Sequence, residues 1–343
     1  MTKTIALIFG GEGAEKSVSE KSAAALAESL TGKINLLKIG IDPNGNWFLF
    51  DGDTNDIRRG EWLKSERLTP VFPARFKNES GFYKENGERI DVDMAFPILH
   101  GDFGEDGKIQ GALNTAHIAY LGSSVAASAI TEDKAYTKII AEYLSIPTLP
   151  WFIPSSKSKN EVRKEAERRF GYPFFIKPRA LGSSIGASAV YSKKDFDASY
   201  ELAMKSSDGF LMIETLAGIK CELEFALFDD GKRRFISRAG AVYSGGFYDF
   251  DSKYSNTDRV RTATRGFEDK KAEKKARAYA RKIADFLSLG NLSRVDFFYT
   301  VSGEIYFNEI NSIPGTTETS LYPKLVKEYG SFKSSFLEEF IND

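Results

Sequence analysis

The sequence is poor in sulfur and imidazole. Its 343 residues hold one cysteine, Cys221, and two histidines, His100 and His117. A single cysteine excludes an intrachain disulfide and any multi-cysteine zinc site. Two histidines exclude zinc or iron centres built on several imidazoles. Any metal must be held mainly by oxygen, which points to Mg²⁺ or Mn²⁺. Net charge is lacking too: 47 Lys plus Arg against 48 Asp plus Glu leaves −1. That balance gives no general drive toward nucleic acid or an anionic membrane. No apolar run approaches the ~18 residues of a membrane span. The N-terminal MTKTIALIFGGEGAE has too short an apolar stretch for a signal peptide, so the expected location is cytoplasmic. The composition, 42% hydrophobic and 28% charged, is that of a globular chain. At ~150 residues per domain the length suits two domains or three small lobes.

What is present is α/β in character. Thr4–Phe9 reads as a buried strand ending in Gly10-Gly11. A helix follows, with a Ser17-x-x-Glu20 capping box, Val18, Leu26 and Leu30 on its apolar side, and Gly32 at its end. Ile34–Ile41 predicts a second strand. Residues 43–92 are polar and rich in turn signals, predicting hairpins and a helix near Arg59–Ser65. A strand at Ala95–Leu99 runs into His100-Gly101. Beyond it the pattern predicts helices at Asp133–Leu144, Asn160–Arg169, Asp269–Leu287 and Phe332–Ile341. Strands are predicted at Pro173–Lys177, Ala187–Tyr191, Phe210–Glu214, Glu222–Phe228, Arg234–Ala239, Val295–Tyr299 and Glu304–Ile310. Boundaries near Ser123 and Thr215 divide the chain into 1–122, 123–214 and 215–343.

Several groups of residues can carry chemistry. Glu309 and Asn311 share a strand face, because i and i+2 point the same way. A neighbouring strand can bring Asp296 beside them, and three oxygen-bearing side chains suit Mg²⁺. The same residues read equally well as unrelated edge-strand positions. Gly182-Ser183-Ser184-Ile185-Gly186 can cradle phosphate through backbone N–H groups, with Lys177 at the end of the preceding strand and Lys134 as a second cation. It is not a P-loop, and a lone turn of this kind is commonly a hairpin loop. The backbone of Glu214, Thr215 and Leu216 could hydrogen-bond an adenine edge, and Glu222 could hold ribose hydroxyls. Glu15, at a helix start, could meet a substrate ammonium or simply relieve the helix dipole. His100, at a strand end, is ambiguous alone, and Cys221 reads as packing. The basic stretch 269–282 carries Glu273 and regularly spaced alanines, so it reads as a solvated helix face rather than a nucleic-acid surface.

Taken in order, the motifs resemble the D-alanine–D-alanine ligases of the ATP-grasp superfamily. They are FGGEGAEKSVS at 9–19, LHGDFGEDGKIQG at 99–111, Glu132-Asp133-Lys134, IKPRALGSSIG at 176–186, IET at 213–215, FYDFDSKY at 247–254, RVDFF at 294–298 and NEINSIPGTTETSLYP at 308–323. The resemblance spans nearly the whole chain. It implies an ATP-grasp fold behind an N-terminal Rossmann-like parallel-sheet domain, with a lid at 243–256.

The resemblance also implies roles. Lys134, Lys177, Ser184, Glu214, Thr215, Leu216, Glu222 and Asn308 would bind ATP, with Phe247 near the adenine and Lys253 at the transferring phosphate. Asp296, Glu309 and Asn311 would bind two Mg²⁺, or Mn²⁺. Glu15 would hold the ammonium of the first D-alanine in a network with Ser183 and Tyr254, and His100 would lie beside that substrate. Arg294 and the backbone of Gly315 would stabilise an oxyanion. Ser320 and Leu321 would receive the carboxylate of the second D-alanine. A homodimer through the first lobe is implied, with no nucleic-acid or membrane partner. Tyr254 resembles the dipeptide-forming members, so D-alanine is the expected second substrate; D-lactate, D-serine or another amino acid is the alternative, as is a non-catalytic nucleotide-binding protein. Three positions depart from the family pattern: Gly13 stands where relatives more often have Ser, Ser17 occupies a usually acidic place, and Thr316 stands where Met is usual.

Overall fold

The computed structural model describes residues 3–30, 32, 34–156, 158–207, 209–216, 218–244, 260–317, 320–330 and 338–341. The apolar run at the start forms strand β1 (Thr4–Gly10), buried along almost its whole length. It lies between two parallel neighbours, β2 (Asn35–Ile41) and β7 (Met94–Pro97). A strand covered on both sides and both faces has no need to alternate polar residues, which is why the segment is continuously apolar. The turn-rich stretch adds antiparallel strands β3 (Trp47–Phe50), β4 (Leu68–Phe76), β5 (Glu79–Lys84) and β6 (Arg89–Ile90), giving the order β6-β5-β4-β3-β2-β1-β7.

Two local expectations need correction here. The first helix, α1 (Lys16–Leu30), begins one residue before Ser17, so Ser17 is an exposed helical residue and not a cap. Glu20 instead takes an ion pair from Lys16 (2.5 Å) and the indole N–H of Trp62 (2.7 Å). The buried face of α1 is built mostly of Ser19, Ser22, Ala23, Ala24 and Ala27 with Leu26 and Leu30, while Val18 is half-exposed. Near Arg59–Ser65 there is no α-helix. A short α2 (Thr54–Arg58) precedes it, capped by Asp53, and Trp62–Lys64 forms a single 3₁₀ turn that buries Trp62.

The middle of the chain holds α3 (Lys108–Thr115), α4 (Val125–Glu132) and α5 (Lys134–Tyr143). Asp133 caps α5 by accepting from the N–H groups of Ala135 (2.8 Å) and Tyr136 (3.4 Å). A four-stranded antiparallel sheet follows in the order β10-β9-β11-β8, from β8 (Trp151–Phe152), β9 (Phe174–Pro178), β10 (Ser188–Val190) and β11 (Leu211–Thr215). Helices α6 (Lys159–Phe170) and α7 (Lys193–Ser206) cover it through Val162, Ala166, Phe196 and Tyr200.

The last part is a six-stranded antiparallel sheet. Its strands are β12 (Ile219–Asp229), β13 (Arg234–Ile236), β14 (Gly240–Ser244), β15 (Val260–Ala263), β16 (Leu292–Thr300) and β17 (Ile305–Asn311). One face packs on α8 (Lys270–Phe286) through Ala272, Ala276, Ala280 and Ile283, leaving most of that helix's lysines and arginines outward, while part-buried Arg277 donates to the Ile236 carbonyl and the Tyr329 hydroxyl. The basic stretch is thus the solvated side of an amphipathic helix, as expected. Helices α9 (Leu321–Gly330) and α10 (Glu338–Ile341) end the described chain. The first and last lobes are not separate cores: Phe9, Trp62 and Phe96 share one cluster with Ala226, Phe228, Leu325 and Val326.

Candidate active site

The site starts from a register irregularity. Strand β16 pairs with β17 so that Asp296 faces Glu309, yet the next residue, Phe297, faces Phe307. Asn308 is the extra residue. Without this bulge Phe307 and Glu309 would point the same way; with it, Phe307 enters the core beside Phe297 while Glu309 and Asn311 turn to the other face. Strand β12 places Glu224 opposite Asp296 on its other side.

Arg294 lies between these acids. Its guanidinium donates to both Asp296 carboxylate oxygens (2.9, 3.1 and 2.8 Å) and lies 3.2 Å from Glu224. Burial opposes its charge, but Asp296 and Glu224 outweigh that and hold it well above the ordinary arginine range. Asn311 Nδ2 donates to Asp296 (3.0 Å). Among the described residues no three His, Cys, Asp or Glu side chains are arranged to hold a metal. The set here is two carboxylates and one amide, all oxygen-bearing on one face, which fits a hard cation such as Mg²⁺.

Opposite this face stand the lysines. Lys134, at the start of α5, lies 3.5 Å from Glu309 and donates to the Leu181 carbonyl (2.6 Å). Burial opposes its charge, yet Glu309 and Glu132 raise its pKa. Lys177, near the end of β9, donates to Glu214 on β11 (2.5 Å). The other Glu214 oxygen takes the ammonium of Lys138, which is fully buried. Burial works against ionisation of Glu214, but the two lysines prevail and hold its carboxyl below the usual range.

The glycine-rich turn is not an ordinary hairpin loop. Leu181 (φ 97°), Ser183 (53°) and Ser184 (59°) all occupy the left-handed region that non-glycine residues seldom adopt. Backbone strain of this kind concentrates at ligand sites and turns backbone N–H groups toward a common concavity. Glu132 anchors the turn by accepting from the Leu181 N–H (2.9 Å). Burial pushes the Glu132 carboxyl up to about 7, against the pull of Lys134.

The first lobe meets both. Glu15 is buried and accepts the Ser183 hydroxyl. The backbone of Gly101 passes so close that a Cβ there would enter the Glu15 carboxylate. His100 faces the Ile313 carbonyl with Nδ1 (3.2 Å) and the Ser22 hydroxyl with Nε2 (3.3 Å). A carbonyl only accepts, so the proton sits on Nδ1 and Nε2 accepts from Ser22. Burial lowers its pKa to about 4, so the ring is neutral. Glu105 takes the N–H groups of Gly101 (3.0 Å) and Ile313 (2.9 Å). Beyond Ile313 lie Gly315, packed against Ser320, and Thr317, hydrogen-bonded to the Ser320 hydroxyl (2.8 Å), just before α9.

Glu15 and Ser183 thus meet at the junction of first lobe and turn, His100 reaches Ile313 two residues before Gly315, and Lys134 joins the turn to Glu309. Thr215 ends β11, Leu216 follows it, Glu222 lies within β12 between Val242 and Phe298, and Asn308 is the bulge residue. Phe247, Lys253 and Tyr254, with nearly all of segment 243–256, lie outside the described residues. Sequence reasoning missed Ser22, Glu105, Lys138 and Glu224. Lys138 did carry a signal: it follows Lys134 by four residues on one helix face.

Two antiparallel sheets joined through Lys134 and Glu309, behind a lobe with a parallel three-strand centre, define an ATP-grasp ligase. Comparison with known proteins is more particular. Residues 4–123 match the family model "D-ala D-ala ligase N-terminus", and 140–342 match "D-ala D-ala ligase C-terminus". The chain belongs to the D-alanine–D-alanine ligase family, whose members are ADP-forming ligases. It is 34% identical to the D-alanine–D-alanine ligase of Clostridium acetobutylicum, over 99% of this chain and 97% of the relative. It is 35% identical to that of a Thermoanaerobacter species, over 99% and 96%. Among solved structures, the VanG D-Ala:D-Ser ligase of Enterococcus faecalis superposes with a TM-score of 0.85 at 34% identity, covering 100% of this chain and 99% of that one. D-alanyl-alanine synthetase A of Vibrio cholerae gives 0.83 at 28%, covering 100% and 98%. No helix among the described residues is long and apolar enough to cross a membrane.

Proposed function

We propose that the protein joins two D-alanine molecules into D-alanyl-D-alanine, a peptidoglycan precursor, converting ATP to ADP and phosphate. The observation that carries this reading is the convergence of Glu15 and Ser183 beside the strained turn. It puts an anion able to hold an amino-acid ammonium next to a backbone suited to phosphate.

In this reading Lys134 and Lys177 place point charges on the phosphates, with Ser184 and the turn backbone as further donors. The backbone of Glu214, Thr215 and Leu216 takes the adenine edge, Glu222 the ribose, and Asn308 lies alongside; Phe247 and Lys253 complete the nucleotide site. Asp296, Glu309 and Asn311 would hold two Mg²⁺ or Mn²⁺, which when bound neutralise phosphate charge. Glu15 holds the first D-alanine in a network with Ser183 and Tyr254, and His100 lines its pocket. Its carboxylate attacks the γ-phosphorus, ADP leaves, and D-alanyl phosphate forms. The neutral amine of the second D-alanine attacks the acyl carbon, loses a proton, and expels phosphate. Arg294 and the Gly315 N–H sit where the oxyanion develops. Ser320 and Leu321 offer the start of α9 to the second carboxylate. Residues 1–122 form the substrate lobe, 123–214 and 215–343 the two ATP-grasp lobes, with 243–256 the lid that keeps water from the acyl phosphate. The protein works as a cytoplasmic homodimer paired through the first lobe.

The likeness to a D-Ala:D-Ser ligase at 34% identity supports D-serine as the competing second substrate. Purified protein with ATP, Mg²⁺ and D-alanine, with D-serine or D-lactate added in parallel, decides by product mass. D-alanyl-D-alanine with one ADP per dipeptide is expected. A mixed product in preference would reassign the second substrate, and absence of ADP in protein that binds ATP would leave a nucleotide-binding protein.

A further inference from the structure

Lys138, Glu214 and Lys177 form a chain of charges, with each carboxylate oxygen given to one lysine. Lys138 has no exposure, and its two acceptors are Glu214 and, at 3.5 Å, the Phe307 carbonyl on β17. Burial lowers the Lys138 pKa and Lys177 adds to that, while the Glu214 carboxylate in direct ion-pair contact favours its charged form. The Lys177 side chain retains 11% exposure, so of the pair it alone reaches a ligand. Two ammonium groups and one carboxylate leave the trio one positive charge in surplus. Remove Lys138, and Lys177 and Glu214 close into a neutral buried pair with nothing left for an anion.

We propose that Lys138 is a positioning residue for nucleotide binding: it neutralises Glu214 so that the charge of Lys177 remains available to phosphate. The inference rests on the ATP-site reading above. Lys138 also ties helix α5 to β11 and β17, so it holds the carboxylate at a fixed distance from Lys177 while balancing it.

Calorimetric titration of ATP and of adenosine into four proteins tests this: wild type, Lys177→Met, Lys138→Met, and Lys138→Met/Glu214→Gln. Lys138→Met should weaken ATP roughly tenfold to a hundredfold, the scale of a lost charge-assisted hydrogen bond. Adenosine, which has no phosphate, should bind as it does to wild type. The double variant should regain most ATP affinity, because Lys177 no longer faces an anion. A loss of adenosine and ATP affinity together would mean a merely structural role and overturn the inference, as would normal ATP binding by Lys138→Met when Lys177→Met is weakened. Unchanged ATP affinity in Lys177→Met would instead sink the ATP-site reading and this inference with it. If Lys138→Met fails to fold, the double variant is compared with Glu214→Gln alone. Equal ATP affinities would support action through the carboxylate charge, and a much weaker double variant would refute it.

Discussion

Arg294 shows how one side chain can serve structure and chemistry at once. It is wedged between Asp296 and Glu224, two acids that would otherwise face each other across β12 and β16. A neutral replacement leaves those acids near each other without their cation, so Arg294→Ala should lose both stability and turnover. The turnover loss should be ~10²–10³ in kcat, the usual scale for one oxyanion donor. Steady-state kinetics separate the roles: a change confined to KM would show uniform binding and remove Arg294 from the chemistry. Glu309→Gln is the complementary case. Glu309 stands half-exposed on the site face, so its loss should spare the fold yet abolish dipeptide formation. A circular dichroism melt near that of wild type, alongside near-normal activity, would refute the metal assignment.

At the scale of elements, the site depends on where strands end and how tightly loops pass. Gly101 has φ 64° and its missing Cβ makes room for the Glu15 carboxylate. Gly87 also has positive φ (85°), but nothing lies within 4 Å of its would-be Cβ. Alanine at either position carries the backbone cost of about 1 kcal/mol. Only Gly101→Ala should displace Glu15 and raise the KM for D-alanine as well. Equal kinetic effects of the two substitutions would count against Glu15 as the ammonium site. Elements with large apolar residues, such as β1, β9, β12 and β16, were legible in the sequence to within a few residues. Helices α3, α4 and α7 were not, because Lys108–Thr115 and Val125–Glu132 are short, the second buries only Ala127, Ser128 and Thr131, and Lys193–Ser206 hides Phe196, Tyr200 and Ala203 among charges. The convergence of Asp296, Glu309 and Asn311 was legible as an i, i+2 pattern plus a neighbouring strand. The bulge at Asn308 was not, since nothing local marks it, and without it the same strand would turn Phe307 to the site face. The roles of Lys138 and Glu105 could not be read for a related reason: the partners that define them, Glu214 and Ile313, lie 76 and 208 residues away.

Across the whole molecule, the first and last lobes share a hydrophobic cluster and also meet at one residue, Ile313. His100 donates to the Ile313 carbonyl and Glu105 accepts from the Ile313 N–H, so a single residue of the loop leading to Gly315 is gripped from both sides. The two grips respond to pH in opposite senses. Burial lowers His100 to about 4 from an ordinary 6.5. Its contribution is therefore present above pH 6.5 and is lost as pH falls through 4. Burial, reinforced by Glu132, raises Glu105 to about 8 from 4.5. Its contribution is fully present below pH 4.5 and is lost as pH rises through 8. Between 4.5 and 6.5 the two slopes offset; above 6.5 the Glu105 slope remains, joined up to about pH 7 by that of Glu132, which burial also raises, each limited for one proton to about 1.4 kcal/mol per pH unit. Urea unfolding at pH 6.5 and pH 8 should thus show wild type losing stability over that interval, and Glu105→Gln losing markedly less. The variant will be less stable at both pH values, because an amide NH₂ must face one of the two backbone N–H groups; the difference in slope is the diagnostic quantity. Parallel slopes in the two proteins would mean that Glu105 stays ionised in the fold, and that the lobes are joined by a charged latch instead of a neutral one.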